Sequence, residues 1–104
     1  MLPNADVNTK FVTEKDDCNH FPGDGRSSWN DCLIARNTNK RLKPEYVADV
    51  GLTVFTIRVR SSYEAVWRYE LPRRISVEIG NYCTYSAQPG FEYELPIPTE
   101  LLRE

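Results

Sequence analysis

The chain is short of the residues that most chemistry depends on. It has one histidine, three cysteines and one methionine in 104 residues. Cys18, Cys32 and Cys83 cannot all pair within one chain, and small secreted disulfide scaffolds carry even sets, so reduced thiols are expected. No stretch approaches the roughly 18 uninterrupted apolar residues of a membrane helix, so no membrane partner is expected. The opening Met1-Leu2-Pro3-Asn4-Ala5-Asp6 has neither the basic start nor the apolar run of a secretory leader, which points to a cytoplasmic location. A phosphate-cradling glycine loop, a dinucleotide fingerprint and internal repeats are all missing.

What is present suffices for one folded domain. Hydrophobic residues make up 40% of the chain and charged residues 27%, more apolar than a disordered tail. The net charge of −2 conceals segregation. Residues 1–35 carry three bases against six acids, residues 36–74 nine against four, and residues 75–104 one against five.

Residues 1–26 are turn-rich and poor in apolar anchors, and read as a long irregular arm whose Pro22-Gly23 and Asp24-Gly25 pairs impose turns. Residues 27–49 read as helical. Ser28 is a candidate N-cap with Asp31 three residues on, and Trp29, Cys32, Leu33 and Arg36 fall on one helical face. Asn37-Thr38-Asn39 would stop that helix, and Pro44 would open a second short turn ending by Asp49.

Residues 50–95 read as an antiparallel sheet. Four runs, 52–60, 64–71, 75–85 and 91–95, are rich in β-branched and aromatic residues. A three-residue turn at Ser61-Ser62-Tyr63 matches Val59 with Ala65, Ile57 with Trp67, Phe55 with Tyr69 and Thr53 with Leu71 on a dry face. It sets Arg60 against Glu64, Thr56 against Arg68 and Val54 against Glu70 on the wet one. A slip of one residue would invert every side chain, so clean sorting argues for this register. Its cost is Tyr63 at a place that favours glycine for its left-handed backbone. A second turn at Pro72-Arg73-Arg74 would place Tyr69 against Val77, Trp67 against Ile79 and Arg68 against Glu78. The expected fold is α+β: an antiparallel meander of three or four strands, a short helix packed on one face, and the irregular N-terminal arm. Phe91, Tyr93 and Leu95 would extend the dry face with Glu92 and Glu94 pointing out, and the tail, 96–104, carries Leu101 and Leu102.

Two constellations stand out. Cys18, His20, Cys32 and Cys83 supply the donor set of a closed Cys3His zinc site, but Cys32 and Cys83 are solitary where structural zinc motifs cluster their ligands. Zinc is therefore the one cofactor alternative to none. The basic middle, Lys40, Arg41, Lys43, Arg58, Arg60, Arg68, Arg73 and Arg74, with Tyr82 on the wet face, forms the candidate binding set. Asp16, Asp17, Asp24 and Asp31 read as solvated surface, and Glu70 with Glu78 as diagonal neighbours on a charged sheet face.

No catalytic residue is assigned. The expected function is a small non-catalytic interaction module or assembly component, working through an open sheet face or edge and the basic turns, with a protein partner or a second copy of itself. The alternatives are nucleic-acid binding through the basic middle, and a small hydrolase whose site is built from the N-terminal arm around His20.

Overall fold

The computed structural model describes residues 1–18, 32–83 and 87–104, including all of their side chains except those of Tyr82 and Cys83. In chain order the elements are β1 (Thr9–Val12), α1 (Lys15–Cys18), α2 (Leu33–Asn39), β2 (Tyr46–Val50), β3 (Val54–Val59), β4 (Ala65–Glu70), α3 (Arg73–Cys83), β5 (Glu92–Leu95) and a closing 3-10 turn (Thr99–Leu101). They form an α+β domain with two antiparallel sheets, a meander ordered β2-β3-β4 and a two-stranded pair of β1 with β5. The helix start at Ser28, Trp29 and Asp31, His20, and the turns at 22–25 lie outside the described residues.

The β3–β4 hairpin has the expected register over most of its length. Phe55 faces Tyr69, Ile57 faces Trp67, Thr56 faces Arg68 and Val54 faces Glu70. Next to the turn the ladder shifts, so Ala65 faces Arg58 rather than Val59. Tyr63 adopts a left-handed backbone, φ 61°, as the turn demands of it. The Arg58 guanidinium lies 4.8 Å from the centre of its ring, which offsets part of that cost.

Two segments adopt the other kind of structure. Residues 44–49, expected as a helical turn, supply β2, whose Val47, Ala48 and Val50 are buried. Tyr46 and Val47 carry more strand than helix preference, and pairing with β3 decides the matter although Ala48 favours a helix. Of residues 75–85, expected as the third strand of the meander, residues 75–83 instead belong to α3. The second hairpin and its pairs of Tyr69 with Val77, Trp67 with Ile79 and Arg68 with Glu78 therefore do not form. Ile75 and Ile79 satisfy an alternating pattern and a helical one equally, since they are four residues apart. Val77 separates the two, and it is 51% exposed while both isoleucines are buried. The Pro72 carbonyl accepts the amides of Ile75 and Ser76, opening the helix immediately after β4.

The last expected strand is present but pairs elsewhere. β5 joins β1 in the segment read as irregular, with Phe11 facing Tyr93 and their rings stacked 5.0 Å apart. Tyr93 and Leu95 are buried and Glu92 and Glu94 exposed, as their alternation requires. The tail folds back: Leu42 bridges Leu102, the Lys43 amide donates to Leu101, and both leucines are buried.

One apolar cluster holds these parts together. α2 contributes Leu33, Ile34 and Ala35, the inner face of the meander Ala48, Val50, Phe55, Ile57 and Trp67, α3 its two isoleucines, and the β1–β5 pair Phe11, Tyr93 and Leu95. The short helix thus covers one sheet face as expected, and Trp67, fully buried, donates its indole N–H to Asn4 at 3.0 Å. We expect Val77→Lys to change the unfolding free energy by no more than about 0.5 kcal/mol and Ile79→Ala to lower it by about 2–5 kcal/mol in urea titrations. Equal losses at the two positions would restore the strand.

Candidate functional site

Most of the sequence-derived cations are committed to the fold. The Lys40 ammonium lies 3.2 Å from Glu14, 3.0 Å from Asp16 and 2.9 Å from Asp17. Burial alone would lower its pKa, but hydrogen bonds to the three carboxylates outweigh that and hold it above the ordinary lysine range. Arg41 lies over the Phe11 ring. Arg58 pairs with Asp49 at 2.7 Å and donates to the Tyr63 carbonyl. Arg60 donates to the carbonyls of Pro44 and Tyr46. Arg74 lies over Phe91. Lys43 is half-buried beside the tail, and Arg68 and Arg73 are exposed on separate elements, β4 and the start of α3. The basic middle is thus distributed over turns, strands and the start of a helix, and Lys40, Arg41, Arg58, Arg60 and Arg74 are engaged within the chain. Tyr82 belongs to α3 rather than to a wet sheet face.

The sulfur and acid constellations fare similarly. Cys18 and Cys32 are both buried. Burial, reinforced by the charges of Asp17, Glu78 and Asp16, raises the Cys18 thiol despite a hydrogen bond with Thr13, which opposes formation of a nucleophilic thiolate. His20 and the Cys83 side chain lie outside the description, and among the described residues no group of three or more His, Cys, Asp or Glu side chains could hold a metal. Glu70 is on β4 and Glu78 on α3, where it accepts from Asn81, so the two are not neighbours on a sheet.

Asp17 is the residue that the sequence misplaced. It is fully buried rather than solvated. Its Oδ2 accepts the Glu14 amide and the Asn37 side-chain amide, each at 2.8 Å. Asn37 also donates to the Val12 carbonyl at 2.9 Å, and its own Oδ1 accepts from the Tyr93 hydroxyl at 2.8 Å. Thr38 Oγ1 completes the chain 3.0 Å from that hydroxyl. α1, α2, β1 and β5 are therefore joined through one buried polar network. The signal that could have found it is Glu14-x-x-Asp17, a carboxylate at the third position of a helical turn reaching back to the amide that precedes it. Asn37 and Thr38 lie in the last turn of α2, which ends at Asn39 as expected, and their side chains point inward into the network.

The outer face of the meander is partly covered: Val47 and Thr56 are buried, Asp49, Val54 and Arg58 half-buried, and Arg68 and Glu70 exposed. Alternation turns Val47, Asp49, Val54, Thr56, Arg58, Arg68 and Glu70 away from the core cluster. A cleft of about 500 Å³ runs over it, lined by Asp49, Gly51, Leu52, Thr53, Val54, Thr56 and Arg58. Leu52, at the β2–β3 turn, is 59% exposed. The first half of the β2 edge, by contrast, is occupied: the Tyr46 amide donates to Lys43, the Tyr46 carbonyl accepts from Arg60, and the Ala48 amide donates to Asn39 Oδ1 at 2.8 Å. No described helix is long and apolar enough to cross a membrane.

Burial raises the Tyr93 hydroxyl well above its ordinary value, although its bond with Thr38 opposes this, so the folded state holds the phenol neutral. A raised folded pKa contributes stability that is complete below the unfolded value, about 10, and is lost as pH rises beyond it. Tyr93→Phe should therefore cost about 1–2 kcal/mol at neutral pH, through its two hydroxyl contacts. That deficit should narrow above about pH 10 in urea unfolding at graded pH, and a constant gap would contradict the assignment.

No family model, no curated protein and no solved structure matches this chain.

Proposed function

We propose that the protein is a non-catalytic interaction module that binds a partner protein through the outer face of the β2-β3-β4 meander. One observation carries this reading: the face opposite the core holds a cleft in which Leu52 and Val54 are flanked by Asp49 and Arg58, with Arg68 and Glu70 the cross-strand neighbours of Thr56 and Val54. An apolar centre with a polar rim of both signs is the anatomy of a protein–protein contact rather than of a polyanion site, which needs gathered positive charge. The engagement of Lys40, Arg41, Arg58, Arg60 and Arg74 within the chain supports the same choice. The occupied first half of the β2 edge favours the face over sheet extension at that strand.

The test is affinity capture and cross-linking with the full chain, followed by titration of the captured partner. Leu52→Asp should weaken binding by about tenfold or more while leaving the thermal midpoint unchanged, because an exposed turn residue contributes little to the fold. Arg73→Glu with Arg74→Glu should leave binding intact. If the charge reversal abolishes binding, or the captured material is nucleic acid released steeply by salt, the reading fails. Concentration-dependent self-association abolished by Leu52→Asp would show that the partner is a second copy.

A further inference from the structure

We propose that the outer edge of β4 pairs with β4 of a second copy of this chain, antiparallel and about a two-fold axis at Tyr69, so that the two meanders join into one continuous sheet. The inference goes beyond the face reading: it concerns the strand edge at Arg68 and Glu70 and does not depend on Leu52.

The hydrogen-bond phase shows which groups that edge offers. The Leu71 amide donates to the Thr53 carbonyl at 2.9 Å, so Thr53 with Leu71, Phe55 with Tyr69 and Ile57 with Trp67 exchange the bonds between β3 and β4. The N–H and C=O groups of Arg68 and Glu70 then point away from β3. Two further bonds agree with this phase. The Gly51 amide donates to the Val54 carbonyl at 2.9 Å, which turns Val54 and Thr56 toward β2, and the Val66 carbonyl accepts the Leu2 amide at 2.9 Å from beyond the sheet. β4 is the last strand of its sheet, and among the described residues nothing bonds to the outward groups of Arg68 or Glu70. Both side chains are exposed, and neither forms an ion pair among the described residues.

Register identifies the occupant. Setting Tyr69 against its own copy places Arg68 opposite Glu70 of the second copy and Glu70 opposite its Arg68. Outward backbone groups then face outward ones, so each pair exchanges both of its bonds and joins opposite charges on one face. A one-residue slip faces outward groups with inward ones. A two-residue slip centres Arg68 or Glu70 on the axis and sets like charges together. Charged residues protect many sheet edges by such repulsion, but on β4 the sign reverses two residues on, and the edge becomes complementary to itself. On the inner side the two half-buried Tyr69 rings meet, each already stacked on Trp67 with ring centres 5.6 Å apart. Pro72 of the second copy falls beside Val66, where Leu2 is held by one backbone bond, so Leu2 gives way to a pairing that forms more bonds than it breaks. Pro72 has no N–H and ends the new ladder there. A contact of this symmetry closes on itself, and the product is a dimer rather than a fibre.

The test is sedimentation equilibrium of the full chain over a concentration series, with amide hydrogen exchange at its two ends. The chain should pass from monomer to dimer, and exchange at Arg68 and Glu70 should slow as it does, whereas the Tyr69 amide, bonded to Phe55, is protected in both states. Arg68→Glu and Glu70→Arg should each weaken self-association by about tenfold or more, because each sets like charges opposite one another. An equimolar mixture of these two variants should associate, since one strand then carries only acids and the other only bases. The double variant, Arg68→Glu with Glu70→Arg, should restore the homodimer, and Leu52→Asp should leave it unchanged. Should a single variant fail to fold, the double variant and the exchange of the unaltered chain still decide. The proposal is overturned if the chain stays monomeric throughout the series, if Arg68 and Glu70 gain no protection in the dimer, or if the double variant and the mixture fail to associate. Self-association that Leu52→Asp abolishes and the charge reversals leave intact would also overturn it, by assigning the second copy to the meander face.

Discussion

A carboxylate taken out of water costs several kcal/mol unless donors surround it, and the chain meets this requirement at Asp17 with groups drawn from three places. Glu14 supplies a backbone amide, Asn37 a side-chain amide and Lys40 an ammonium. Because Asn37 also holds the Val12 carbonyl and the Tyr93 hydroxyl, satisfying the carboxylate fixes α2 against both strands of the smaller sheet. The single turn of α1 has too few residues to be stable alone, and it is organised around the same group. The apolar cluster drives association of these elements, while the polar network determines how α1, α2, β1 and β5 meet.

This arrangement accounts for the distribution of charge. Acids of the first segment and Lys40 of the middle segment attract one another, and Glu14, Asp16 and Asp17 surround Lys40. The hydrogen bond from Lys40 holds Asp16 below the ordinary carboxylate range, though that side chain is in water and its contribution is screened. Segregation along the chain therefore becomes pairing in space, and the positive middle has less charge to present than its composition suggests.

The sequence was most legible where two independent features agreed. In β3 and β4 the alternation and the turn length admit a single sorting, and four cross-strand pairs follow it. It was least legible where a segment is short enough to satisfy two periods. Ile75 and Ile79 fit strand and helix alike, and only the environment of Val77 distinguishes them. β1 was hidden for another reason: four residues with one buried side chain, Phe11, leave no pattern, and the strand exists because β5 pairs with it from 80 or more positions away. Asp17 was hidden because a buried carboxylate is defined by its donors, and two of them come from α2 and the turn that follows it.

Replacing Asp17 tests that dependence directly. Urea unfolding of Asp17→Ala should show a loss of about 3–5 kcal/mol, since the amides of Glu14 and Asn37 would be left without their acceptor, while exposed Asp16→Ala should leave stability unchanged. Hydrogen exchange in the Asp17 variant should also speed at Phe11 and Tyr93 relative to Phe55 and Ile57, because the small sheet loses its tether and the meander does not. A loss at Asp17 no larger than that at Asp16, with protection of the small sheet unchanged, would contradict the account.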